Sequence, residues 1–131
     1  MIVDASAIIA ILRDELESEK FAYAIAEAER RRVSAVNYVE AAAVIDASRS
    51  PIASRRLDDL FREGGLEITA VSEQQARIAR EAYRDFGKGA GHAAGLNLGD
   101  CFAYALAKEM GEPLLYKGED FGRTDVETAA R

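Results

Sequence analysis

The sequence has no tryptophan, one cysteine, one histidine and two prolines. A single thiol, Cys101, cannot close an internal disulfide, which points to a reducing setting inside the cell. One cysteine and one histidine cannot build a closed zinc site within one chain. His92 lies in a Gly/Ala stretch with no nucleophile-elbow motif beside it, so a Ser-His-Asp hydrolase is not indicated. Long apolar runs are also missing. The run Ala5 to Leu12 stops at Arg13 and Asp14, far short of the ~20 residues that cross a bilayer. Asp4 stands where a signal peptide would carry basic residues. The expected location is the cytoplasm, without membrane contact. A basic excess is lacking too: the formal net charge is −6. That argues against non-specific coating of nucleic acid, which needs a basic face. It leaves room for a carboxylate pocket that takes up divalent cations, whose charge reverses the local sign.

What is present suits one soluble domain spanning residues 1–131. Of the 131 residues, 49% are hydrophobic and 31% charged, enough apolar content for a real core. Met1 to Val3 reads as a buried strand that stops at Asp4. Helices are predicted over Ser6–Leu12 and Glu17–Arg32, the second with Phe21, Ile25 and Ala28 on one face. A strand follows at Val33–Ala35. Asn37 is placed to cap a helix reaching about Ser48, with Glu40 at capping-box spacing. Arg49 to Pro51 breaks the chain, and Ile52–Arg62 reads as a helix closed by Gly64 and Gly65. Leu66–Val71 alternates as a strand does. Ser72 and Gln75 form a second capping box for a helix to Phe86. Residues 87 to 99 contain five glycines and read as an irregular loop. Asp100–Met110 is a helix ended by Gly111, and Leu114–Tyr116 is the last strand.

Short apolar strands alternating with longer helices predict an α/β fold with a mostly parallel sheet and right-handed crossovers. Sites in such folds form at the carboxyl ends of the strands. Asp4 follows the first predicted strand and Asp120 the last. Two more acids stand out from the 23 Asp and Glu residues. Glu40 lies in an otherwise small or apolar helix, where a carboxylate is costly unless paired, protonated or bound to a cation. Asp100 opens the apolar helix that runs through Cys101, Phe102 and Tyr104. Each has a plain structural alternative. Asp4 could cap a helix, Glu40 could complete the box with Asn37, Asp100 could complement a helix dipole, and Asp120 could be a turn residue. Together they form an oxygen-only set suited to Mg²⁺ or Mn²⁺ rather than zinc. Paired ions of that kind assist water in attacking a phosphodiester.

These residues resemble the acidic motifs of PIN domains. Asp4 sits in Ile2-Val3-Asp4-Ala5-Ser6-Ala7, Glu40 in Asn37-Tyr38-Val39-Glu40, Asp100 in Leu96-Asn97-Leu98-Gly99-Asp100, and Asp120 in Gly118-Glu119-Asp120-Phe121. They are separated by 36, 60 and 20 positions, an order and scale similar to that family over essentially the whole chain. The segment from Gly91 to Asp100 and the ending Phe121 to Val126 look like the VapC toxin branch. The resemblance implies a three-layer α/β/α fold around a mostly parallel sheet. It implies Mg²⁺- or Mn²⁺-dependent endoribonuclease activity, with Asp4, Glu40, Asp100 and Asp120 as metal ligands. Ser6, Asn37, Thr124 and Asp125 carry over as auxiliary residues, and either Asp120 or Asp125 could be the nearer ligand of the last motif. The implied partners are RNA, a VapB-type antitoxin and a second copy of the chain, with DNA reached only through the antitoxin. An antitoxin segment is expected to place an Arg or Lys among the four acids. Arg84, Lys88, Lys117 and Arg123 lie near the active end in sequence and are candidates for phosphate contacts.

Three other readings compete. A haloacid-dehalogenase-like phosphatase also starts with an Asp after the first strand, but it wants a second Asp where this chain has Ser6. A receiver-like signalling module would use an acidic cluster with a late lysine such as Lys117, but it wants an adjacent acidic pair after the first strand. A non-catalytic interaction domain sits poorly with the intact acid set.

Overall fold

The computed structural model describes residues 1–130. Four short strands, β1 (Ile2–Val3), β2 (Arg32–Ser34), β3 (Glu67–Thr69) and β4 (Leu114–Leu115), form one sheet. Its order is β3-β2-β1-β4 and every pairing is parallel. Among the described residues six α-helices accompany the sheet: α1 (Ala5–Leu12), α2 (Ser18–Glu27), α3 (Ala35–Asp46), α4 (Pro51–Glu63), α5 (Glu73–Phe86) and α6 (Leu98–Met110). The alternation of side chains along a strand sorts them into two layers. Ile2 and Leu114 pack with Ala79, Ala82, Leu96 and the buried face of α6. Val3, Val33 and Leu115 pack with Ile8, Phe21, Ile25, Ile45 and Leu57 from α1 to α4. β1 and β4 thus bury side chains on both faces of the sheet, which is why they read as continuous apolar runs. At the outer edge, the Leu114 N–H donates to the Glu127 carbonyl and the Ala129 N–H to the Leu114 carbonyl. The tail thereby covers the β4 edge, which would otherwise be open. No helix among the described residues is long and apolar enough to cross a membrane.

Several sequence expectations need correction. The helix expected over Glu17–Arg32 ends at Glu27, and Arg32 belongs to β2. The cause is Arg31, whose guanidinium donates to the Ile25, Ala26 and Gly64 carbonyls. One cation closes the C-terminal ends of both α2 and α4, satisfying carbonyls that have no partner within their helices. Ala35 opens α3 instead of ending β2, because the hydroxyl of Ser34 accepts from the Val36 N–H and caps the helix there. Asn37 therefore lies inside the first turn of α3, and its predicted capping role is wrong. The strand expected over Leu66–Val71 shrinks to Glu67–Thr69. Ser72 does cap α5 by accepting from the Gln75 N–H, but the Gln75 side chain turns to Glu109. The glycine-rich segment is less irregular than expected: Lys88–Ala90 forms a 3₁₀ turn and α6 begins at Leu98. Gly99 is therefore a helical residue.

The Arg31 arrangement carries a stability prediction. Removing a charged donor that serves three carbonyls costs about 2–4 kcal/mol, with ~1.5–3 for each bond to a charged group partly replaced by water. Arg31→Ala should lower the urea midpoint accordingly, and a loss under ~1 kcal/mol would mean that solvent serves those carbonyls equally well.

Candidate active site

The carboxyl ends of β1, β2 and β4 meet the N-terminus of α6, and the acids gather there. Asp4 leaves β1 and caps α1, its Oδ2 accepting from the Ser6 N–H at 3.0 Å. Its N–H donates to the Leu115 carbonyl at 2.9 Å, which ties it to β4. The side chain is buried, and Oδ1 has no hydrogen-bond partner in the protein. Burial pushes its pKa up to about 7; the Ser6 bonds oppose the shift, and the charges of Asp100 and Glu40 add to it. One carboxylate oxygen of Asp4 thus serves the helix cap, and the other is left without a partner in the protein.

Asp100 is likewise a helix-capping residue. With Asn97 it forms a complete capping box, in which its N–H donates to Asn97 Oδ1 at 2.8 Å and its Oδ2 accepts from the Asn97 N–H at 3.0 Å. Burial raises its pKa to about 6 against the Asn97 bond, with further contributions from Glu40 and Asp120. Glu40 projects from the second turn of α3. Its Oε1 accepts from Asn37 Nδ2 at 3.2 Å, and the same amide nitrogen donates to the Gly99 carbonyl at 3.0 Å. Asn37 is fully buried, and its Oδ1 has no partner. Asp120 is exposed at the start of the 3₁₀ turn Phe121–Arg123 and makes no capping bond.

Asp100 and Glu40 act electrostatically on Asp4, Glu40 and Asp120 act on Asp100, and the donors they offer are all oxygen. Such a set fits a hard divalent cation, and the unpartnered buried oxygens of Asp4 and Asn37 strengthen the fit. Among the described residues no three ligand groups converge tightly enough to hold an ion unaided.

The remaining expected residues divide. Ser6 belongs with the site, since its Oγ accepts from the Lys117 N–H at 2.9 Å and ties the exit of β4 to α1. Thr124 shapes its own turn, donating to the Phe121 carbonyl at 2.7 Å and accepting from the Val126 N–H. Asp125 accepts from the Tyr104 hydroxyl at 2.5 Å and from Lys108 Nζ at 3.0 Å. The Tyr104 bond, and then Lys108, hold its carboxyl below the ordinary range. Of the two acids in the last motif, Asp120 is thus the one coupled to Asp100. Three of the four basic candidates are already engaged. Arg84 pairs with Asp85, Lys117 with Glu15 and Glu17, and Arg123 with Glu119 and the Ala93 carbonyl. Lys88 is exposed and has no ion pair among the described residues. The ammonium of Lys117, held by two glutamates, does not stand as the free late lysine of a receiver. One feature the sequence reading passed over is Gly99, where a Cβ would stand 2.2 Å from Glu40 Oε2.

Comparison with known proteins identifies the family. The PIN domain family model matches residues 1–127. Ribonuclease VapC28 of Mycobacterium tuberculosis is 56% identical over 129 residues, covering 98% of this chain and 97% of that protein. Ribonuclease VapC42 of the same species is 46% identical over 129 residues, covering 98% of each chain. Among solved structures, VapC20 of Mycobacterium tuberculosis, a sarcin–ricin loop-cleaving toxin, superposes with a TM-score of 0.76 at 12% identity. That match covers 99% of this chain and 98% of the other. FitAcB from Neisseria gonorrhoeae superposes with a TM-score of 0.70 at 18% identity, covering 97% of this chain and 94% of that one. The chain therefore belongs to the PIN domain family and, within it, to the VapC ribonucleases.

Proposed function

We propose that this protein is a divalent-metal-dependent endoribonuclease, the toxin of a VapBC-type toxin–antitoxin pair acting in the cytoplasm. The observation that carries the reading is the buried Asp4, whose unpartnered Oδ1 lies in the field of Asp100 and Glu40. A carboxylate so placed is costly in isolation and becomes favourable beside a cation. Asp4, Glu40, Asp100 and Asp120 would hold Mg²⁺ or Mn²⁺, directly or through water. The bound metal would supply Lewis acidity and charge neutralisation at the scissile phosphodiester.

The chain's own groups do the rest. The Ser6 N–H fixes one oxygen of Asp4, so the other keeps a constant direction. Asn37 holds Glu40 against α6, and Asn97 orients Asp100. Lys88, exposed and without an ion pair among the described residues, would offer a phosphate contact that steers RNA toward an otherwise acidic surface. The proposed partners follow from the same site. An antitoxin would neutralise the acids with an Arg or Lys, through charge-assisted hydrogen bonds. DNA would be reached only through the antitoxin, and the toxin itself would act as a homodimer.

The test is cleavage of an RNA substrate by purified protein, before and after chelation. Activity should disappear in excess EDTA and return with Mg²⁺ or Mn²⁺. Full activity in the chelator would rule out the metal mechanism, and no cleavage under any metal condition would rule out the nuclease.

A further inference from the structure

We propose that Gly99 is a positioning residue, its missing side chain being the space that keeps the Glu40 carboxylate beside Asp4 and Asp100. The inference rests on the metal-dependent reading above and adds a residue to it. A Cβ on Gly99 would lie 2.2 Å from Glu40 Oε2, 2.8 Å from its Cδ and 3.0 Å from its Oε1. All three neighbours are atoms of one carboxylate. Gly64 and Gly87 are crowded as well, but the atoms nearest their missing Cβ are backbone carbonyls, those of Leu60 and Tyr83. Those two glycines serve helix ends, whereas the nearest atoms to Gly99 belong to a proposed ligand.

The backbone at Gly99 does not itself require glycine. The residue lies in the first turn of α6 without a positive φ. Alanine at an ordinary helical position is the better helix former. What glycine provides here is close approach between α6 and the end of the Glu40 side chain. Asn37 latches that approach: its buried Nδ2 bridges Glu40 Oε1 and the Gly99 carbonyl. A methyl group at position 99 would swing the carboxylate aside and break its bond to Asn37. The buried amide would keep only the Gly99 carbonyl as acceptor, and the three acids would no longer share one space.

A cycle of four proteins tests this: the original chain, Gly99→Ala, Glu40→Ala and the double variant. Each is titrated with Mn²⁺ and, separately, melted without metal. Gly99→Ala should weaken Mn²⁺ binding about tenfold or more, the scale on which misplaced supporting groups act on metal affinity. The double variant should bind within about twofold of Glu40→Ala, because no carboxylate remains to be displaced. Without metal, Gly99→Ala should raise the melting temperature when Glu40 is absent and fail to raise it when Glu40 is present. Unaltered Mn²⁺ affinity in Gly99→Ala, or an equal loss with and without Glu40, overturns the positioning role. If the original chain binds no Mn²⁺, the metal reading falls instead and the melting cycle alone decides: an equal rise in both backgrounds overturns the role of Gly99, and a rise only without Glu40 upholds it.

Discussion

Asp4→Asn should lower RNA cleavage roughly a hundredfold or more while leaving the protein folded. The several kcal/mol that a well-held cation contributes to charge stabilisation in phosphodiester chemistry correspond to that factor. Asparagine keeps the volume of the side chain and still accepts from the Ser6 N–H, so the cap on α1 survives. It removes the negative charge that a metal needs at the unpartnered Oδ1. Asp100→Asn should behave alike, since asparagine can accept the Asn97 bond through its amide oxygen. Asp125→Asn is the useful contrast. Its carboxylate is engaged by Tyr104 and Lys108, so the expected loss is mainly in packing of the tail against α6. Cleavage by Asp4→Asn at the original rate would remove Asp4 from the chemistry. A collapse of the fold in both Asp4→Asn and Asp100→Asn would reduce these acids to helix caps.

Stability should depend on pH in a direction opposite to that of most acidic proteins. Asp4 holds its proton up to about 7 and Asp100 up to about 6 in the folded chain, against ~3.9 for an unfolded Asp. A carboxyl whose folded pKa is raised stabilises the fold fully at pH values below the unfolded pKa. That contribution is lost as pH rises through the folded pKa. For the fully buried Asp4 the whole loss is on the order of 4 kcal/mol, at ~1.4 kcal/mol per unit, of which about 3 kcal/mol falls above pH 5; Asp100, partly open to solvent, adds less. Without metal, the melting temperature should therefore fall by roughly 5 °C or more between pH 5 and pH 8. Asp4→Asn should flatten that dependence and raise the melting temperature at pH 8. Mn²⁺ or Mg²⁺ should restore stability at pH 8 by mass action, by ~2.7 kcal/mol at a hundred times the dissociation constant. A metal-free melting temperature that rises from pH 5 to pH 8 would show that Asp4 is not held neutral by burial.

The two expected effects would share one cause, since the buried carboxylates proposed to serve the metal also cost the metal-free fold stability. Like charges in a dry corner are tolerated because capping bonds from Ser6 and Asn97 offset part of the cost. The capping readings of Asp4 and Asp100 are what the structure bears out; the metal role is proposed beside them. Glu40 differs. Its expected capping partnership with Asn37 does not form, because Ser34 caps α3 three residues earlier. Side-chain hydrogen bonding between Asn37 and Glu40 takes its place. Serine and asparagine are both good caps, and nothing local says which one the β2–α3 junction will use.

The sequence alone determined the alternation of strands and helices, and with it the parallel sheet, the end of the sheet at which Asp4 lies and the family motifs. These depend on periodicity and on residues adjacent along the chain, which short-range sterics and hydrogen bonding make legible. Tertiary structure alone decided the rest. Arg31 stops α2 early because the Gly64 carbonyl, 33 residues away, completes its set of acceptors. Asp125 is drawn to Tyr104 and Lys108 on α6, while Asp120 faces the field of Asp100. Lys117 is neutralised by glutamates from the α1–α2 connection, and Gly99 meets a side chain from α3. Each of these choices depends on which distant group arrives within a few ångströms, and charge and space are settled only when helices dock on the sheet.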